Sequence, residues 1–127
     1  MEGKTDNRPL GRKGEDAACI FLIGRGHSIL ERNWRLGRLE IDIISLNENG
    51  IHFVEVKCRR LPMEAEPQES VTRTKQQRIC KAALGYINSR NCFRTGDLEC
   101  HFDIISVILG KDSFSIRYFE DAFFPGI

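Results

Sequence analysis

The stretch Leu39–Arg60, LEIDIISLNENGIHFVEVKCRR, constrains this chain more than any other. Two apolar runs flank Asn49-Gly50, the preferred pair for a two-residue hairpin turn because both central positions need positive φ. With that loop, Glu48 faces Ile51, Leu46 faces Phe53, Ile44 faces Glu55 and Asp42 faces Lys57. Side chains alternate faces along a strand, so Asp42, Glu55 and Lys57 converge on one face of an otherwise hydrophobic hairpin. A four-residue loop from Asn47 to Gly50 keeps this parity, whereas a three-residue loop sends Asp42 to the other face.

Two carboxylates held close repel each other unless a cation sits between them. Mg²⁺, with Mn²⁺ as its alternative, takes oxygen ligands: one or two carboxylates, waters and substrate phosphate. Asp42 and Glu55 supply that minimum, with the Val56 carbonyl as a third oxygen, and Lys57 is placed to hold a phosphate oxygen or position a water. Such a site suits phosphodiester hydrolysis. The competing explanation is a solvated face whose Asp42–Lys57 pair contributes under about 1 kcal/mol.

The surrounding chain reads as one soluble domain. A chain of 127 residues buries roughly two thirds of its unfolded surface on folding, and 41% hydrophobic with 29% charged residues is an ordinary globular composition. The net charge of +1 names no partner. No apolar run is long enough to span a bilayer and the polar start lacks a signal-peptide core, so a cytoplasmic protein without membrane contact is expected. Five scattered cysteines fit free thiols in a reducing compartment better than disulfides, and Cys92 with Cys100-His101 lacks the close pairs of a zinc site.

Residues 1–9 are polar and expected to fray; Gly11 to Ile23 reads as a helix ended by Gly24 to Gly26. Ser28 to Arg35 reads as a short extended lead-in anchored by Trp34, with Arg32, Arg35 and Arg38 as a basic run. Leu61 to Ser70, with two prolines and three glutamates, reads as a solvated loop. From Val71 to Asn88 apolar residues recur at three- and four-residue spacing, giving an amphipathic helix whose Lys75 and Arg78 add positive charge. HFDIISVIL and SFSIRYF form a second hairpin. Helix, two strands, helix, two strands predicts an α/β fold, a mixed central sheet flanked by helices.

Asp42 followed by Glu55-Val56-Lys57 resembles the PD-(D/E)xK nuclease superfamily. The ordered segments GRKGEDAA, RNWR, EIDII, FVEVKCRR, SVTRTKQQRI and FDIISV…EDAF resemble the YraN family, predicted endonucleases akin to archaeal Holliday junction resolvases. This likeness spans Gly11 to Phe123. It implies a restriction-endonuclease-like core, a Mg²⁺-dependent activity on DNA with branched DNA as a candidate form, and a homodimer. It also implies Asp42 and Glu55 as metal ligands, Lys57 as the catalytic lysine and Glu15, from the first helix, as the completing acid. Two positions depart from the family: Leu39 replaces a glycine, and His101 an arginine. Lys75, Arg78, Arg59 and Arg60 are candidate phosphate contacts, because sequence-independent nucleic-acid binding rests on such charges. The alternative function is a catalytically silent nucleic-acid-binding module of the same fold; a third is a protein-interaction scaffold. Asp103 reads as a structural or supporting acid, and Glu15 has a competing role as a first-turn acid favoured by the helix dipole.

Overall fold

In a computed structural model, described for residues 10–60, 71–89, 98–110 and 112–124, the chain runs α1 (Leu10–Gly24), β1 (Ser28–Leu36), β2 (Leu39–Asn47), β3 (Gly50–Arg60), α2 (Arg73–Ser89), β4 (Cys100–Leu109) and β5 (Phe114–Phe119). The strands form one sheet in chain order. All neighbours are antiparallel except β3 and β4, which are parallel and joined through α2. This is the mixed α/β sheet expected. The fraying expected of residues 1–9, the loop expected over 61–70 and Cys92 fall outside the described residues; Cys19, Cys58, Cys80 and Cys100 are free thiols.

The helices cover opposite faces. Ala18, Cys19 and Leu22 of α1 pack with Ile43, Val54, Ile105 and Val107. Ile79, Ala82, Ala83 and Tyr86 of α2 pack with Ile41, Ile44, Ile51 and Phe53. Trp34 anchors β1 as expected, meeting the Tyr86 ring edge-on at 5.2 Å between centroids.

Two expectations need correction. Ser28 to Arg35 is not a lead-in but part of a full edge strand, paired with β2 from Ser28–Leu46 to Leu36–Leu39. Its alternation is obscured by a register shift between Ile29 and Glu31, so the period-2 signal breaks mid-strand.

The hairpin register is also displaced by two residues: Asn47 pairs with Gly50, Leu46 with Ile51 and Ile44 with Phe53. The turn is therefore Glu48-Asn49. Asn47 Oδ1 accepts the Asn49 N–H at 2.9 Å, closing the turn through a side chain. Gly50, at φ +134°, serves instead for close approach, since a Cβ there would stand 2.3 Å from the Glu99 carbonyl oxygen. That carbonyl accepts the Ile51 N–H at 2.9 Å. A shift of two preserves parity, and the last pair, Ile43–Val54, leaves Asp42 and Glu55, rather than Asp42 and Lys57, as the next residues on the two strands.

Candidate active site

The β2–β3 ladder runs only as far as Ile43–Val54. Beyond it the strands diverge from simple pairing: the Val56 N–H donates to Asp42 Oδ2 at 2.8 Å, a side chain taking a place that a backbone carbonyl holds in a regular ladder. On the other side of β2, pairing passes from Arg32–Ile43 to Trp34–Ile41, and the intervening Asn33 has φ +52°. Ile41 consequently joins Ile44 in the core beneath α2, although the two lie three residues apart. The alternation is broken at Asp42, at the place where its carboxylate turns to β3.

Glu55 is 4% exposed. Its Oε2 lies 3.4 Å from Lys57 Nζ and 3.2 Å from Lys75 Nζ. Burial pushes Asp42 up to about 8, and the negative charge of Glu55, a side-chain hydrogen bond with Glu55 and the charge of Glu15 act in the same direction. The Val56 N–H opposes them by favouring the ionised form. Three acids thus act on one another: two hydrogen-bonded on β2 and β3, and one on α1.

Glu15 reaches this place because α1 rests closely on β3. A Cβ on Gly14 would stand 2.7 Å from Cys58 Sγ, so the glycine preceding Glu15 sets the helix height. Cys58 Sγ also lies 3.3 Å from the Leu10 carbonyl. Arg32 on β1 braces the acid turn, 2.6 Å from Asp16 and 3.9 Å from Glu15.

Two clefts adjoin the acids. One, about 360 Å³, is lined by Gly11, Arg12, Glu15, Asn33, Arg35 and Glu40. The other, about 150 Å³, is lined by Arg38, Leu39, Glu40, Lys75, Arg78 and Ile79. Glu40 is common to both and is held by Arg35 at 3.2 Å. Five cationic side chains therefore line the two clefts.

Of the candidate residues, the structure brings together Glu15, Asp42, Glu55, Lys57 and, unexpectedly close, Lys75; Arg78 lines the smaller cleft. Arg59 and Arg60 end β3 and, among the described residues, take no part in the ion pairs on Glu55; Arg59 Nε is buried without a partner. Sequence reasoning noted Arg32, Arg35 and Arg38 only as a basic run and passed over Arg12 and Asn33. The closeness of Arg32, Asn33 and Arg35 to α1 depends on pairing β1 with β2, which the sequence pattern did not reveal.

Among the described residues, no group of three or more His, Cys, Asp or Glu side chains stands ready to hold a metal ion. The donor chemistry nevertheless fits a hard divalent cation: two adjoining carboxylates, one without a cationic partner among the described residues, supply oxygen ligands and crowded negative charge. No described helix is long and apolar enough to cross a membrane.

Residues 14–107, which include every acid and lysine of this cluster, match the model of the uncharacterised protein family UPF0102. The chain belongs to UPF0102. This is the YraN family to which the sequence motifs pointed. UPF0102 relatives include protein FP2501 of Flavobacterium psychrophilum, 42% identical over 120 residues, covering 94% of this chain and 98% of the relative. A UPF0102 protein of Bacteroides thetaiotaomicron is 38% identical over 121 residues, with 95% and 97% covered. One of Phocaeicola vulgatus is 34% identical over 123 residues, with 97% and 98% covered. The UPF0102 likeness is thus to whole proteins of similar length.

Proposed function

We propose that this chain is a metal-dependent endonuclease that hydrolyses DNA phosphodiester bonds. The observation that carries the reading is the buried Asp42–Glu55 carboxylate pair beside Lys57, with Glu15 and Lys75, which act on that pair, each lining an arginine-bearing cleft. Burial of unbalanced like charge is costly, and such arrangements concentrate where chemistry needs them.

Asp42 and Glu55 would hold Mg²⁺ or Mn²⁺. The bound cation supplies charge neutralisation on the phosphoryl group and a lowered pKa for water. Lys57, fixed two residues from Glu55 on the same strand, places its ammonium where it can hold a phosphate oxygen. The Val56 N–H fixes the orientation of Asp42. Arg12 and Arg35 on one side, with Arg38 and Arg78 on the other, give the phosphate backbone a cationic path that is indifferent to base sequence. The resolvase likeness adds branched DNA as a preferred form and a homodimer that presents two sites.

The test is cleavage of labelled single-stranded, duplex and four-way-junction DNA with Mg²⁺ or Mn²⁺, wild type against Glu55→Gln purified identically. Metal-dependent cutting lost in the variant is the expected result. Tight binding by both proteins with no cutting by either would establish the silent binding module instead. One observation favours that second reading: both lysines on Glu55 satisfy it without a metal.

A further inference from the structure

We propose that Lys75 blocks Glu55 from a divalent cation in the free protein and releases it when a substrate phosphate enters the adjoining cleft. The inference rests on the metal-dependent reading above. Its starting point is that Glu55 Oε2 is shared by two ammonium groups of unequal freedom.

Lys57 lies on the same strand as the acid it meets, about 6.6 Å along the backbone, so the pleat keeps its ammonium at the site. Lys75 comes from the first turn of α2, where its backbone N–H is held by Thr72 Oγ1 at 3.2 Å. Its side chain is 46% exposed against 22% for Lys57, yet it makes the shorter contact, 3.2 Å against 3.4 Å.

Lys75 also lines the smaller cleft with Arg38 and Arg78. A phosphate entering there meets three cationic groups, and only Lys75 is also committed to Glu55. The long flexible stem lets its ammonium exchange a carboxylate oxygen for a phosphate oxygen without moving the helix. A cation approaching Glu55 in the free protein faces two positive charges; after the exchange it faces one. Substrate and metal therefore bind with positive coupling, and each must tighten the other by the same factor.

Lys75→Met removes the charge and keeps an unbranched side chain at a partly exposed position, so the variant is expected to fold, as thermal unfolding will show. Mn²⁺ alone is the probe, read from the resonance of the free ion, with and without a duplex oligonucleotide carrying hydrolysis-resistant phosphorothioate linkages. In the wild type the oligonucleotide is expected to tighten Mn²⁺ binding about tenfold. In Lys75→Met, Mn²⁺ alone binds about tenfold tighter than to the wild type, and the oligonucleotide adds less than about twofold.

Lys81→Met, on the same helix but facing a separate apolar cleft, keeps wild-type values. Equal Mn²⁺ affinity in wild type and Lys75→Met, with binding abolished in both by Glu55→Gln, overturns the role of Lys75 and leaves the nuclease reading standing. Absence of any Glu55-dependent Mn²⁺ binding in both proteins overturns the two together.

Discussion

Two buried polar clusters share this sheet and are built on opposite terms. Where β3 and β4 begin, the rings of His27, His52 and His101 stand in a column, with 4.6 Å between successive centroids. Asp103, fully buried, accepts the Tyr118 hydroxyl at 2.6 Å and the Asp121 N–H at 2.9 Å, and lies 2.7 Å from His52 Nδ1. The other His52 nitrogen meets Asn47 Oδ1 at 2.9 Å, and His27 Nδ1 meets Ser45 Oγ at 2.9 Å. Asp103 is met by donors on both of its oxygens. Around Asp42 and Glu55, by contrast, acid is set against acid in a place with little water. A satisfied network specifies structure, and a frustrated one stores free energy that a ligand can release.

That contrast breaks if its two halves respond alike to mutation. The largest effect is expected at Asp103. Asp103→Ala leaves His52, the Tyr118 hydroxyl and the Asp121 N–H without their acceptor, and each buried polar group left unsatisfied costs about 1–3 kcal/mol. Urea unfolding measures this, while any cleavage per folded molecule should hold. A loss below about 1 kcal/mol would show that the network tolerates its own removal.

Glu55→Gln should do the reverse. Changing an outer partner of a metal ligand commonly costs 10- to 100-fold, so replacing a ligand itself should reduce metal-dependent cleavage by about 100-fold or more. Stability should be unchanged or higher. An unfolding midpoint that falls with the activity would mean that Glu55 belongs to the scaffold.

Asp42→Asn sharpens the same point with a smaller effect. The amide oxygen can still accept the Val56 N–H, and the crowded charge is gone. In the metal-free wild type, the folded state keeps the Asp42 proton up to about pH 8, while the unfolded chain releases it near the ordinary value of 3.8. The unfolded state binds fewer protons across that window, so the wild type loses stability as pH rises from about 4 to 8. The variant lacks this loss and should be about 1 kcal/mol more stable at pH 8, in the range of relieved functional strain. Unfolding in chelator at pH 4, 6 and 8 checks both sign and window.

The two clusters also differ in how far the sequence disclosed them. Asp42, Glu55 and Lys57 lie on consecutive strands of one hairpin, and a period of two makes their convergence depend on parity alone. A register displaced by two residues therefore left the constellation standing. Glu15 was legible as the first-helix acid that the family likeness implies, though only the approach of Gly14 to Cys58 explains its reach.

Lys75 was visible as a basic helix residue, but its ammonium meets Glu55 only after a crossover that begins 15 residues earlier at the end of β3, and no local pattern reports that docking. The histidine column was still less accessible. It draws on the turn after α1, β2, β3, β4 and β5, so it exists only once the strand order is known. His101 was legible only as a departure from the family pattern. In the structure it spans Asp121 and the Asn49 carbonyl, at 2.7 and 3.0 Å, tying the hairpin turn to the end of β5.

The smallest effect is expected at that histidine, and it tests whether the network carries its own pH dependence. Burial alone would lower the His101 pKa, but the Asp121 carboxylate and the Asn49 carbonyl, with Asp103 beyond, outweigh burial and raise it above the ordinary 6.5. The folded state therefore holds the proton more tightly than the unfolded chain. Its stabilising contribution is complete below about pH 6.5 and is lost as pH rises through the elevated folded value. For a partly solvated pair this amounts to under about 1 kcal/mol. His101→Gln can still bridge both partners but cannot ionise, so the gap in stability between wild type and variant should narrow from pH 6 to pH 9. Cleavage at a fixed folded fraction should not follow it. A gap that widened with pH would mean that His101 is held neutral in the fold, and a cleavage rate that tracked it would join the histidine column to the acid site, ending the separation between the two clusters.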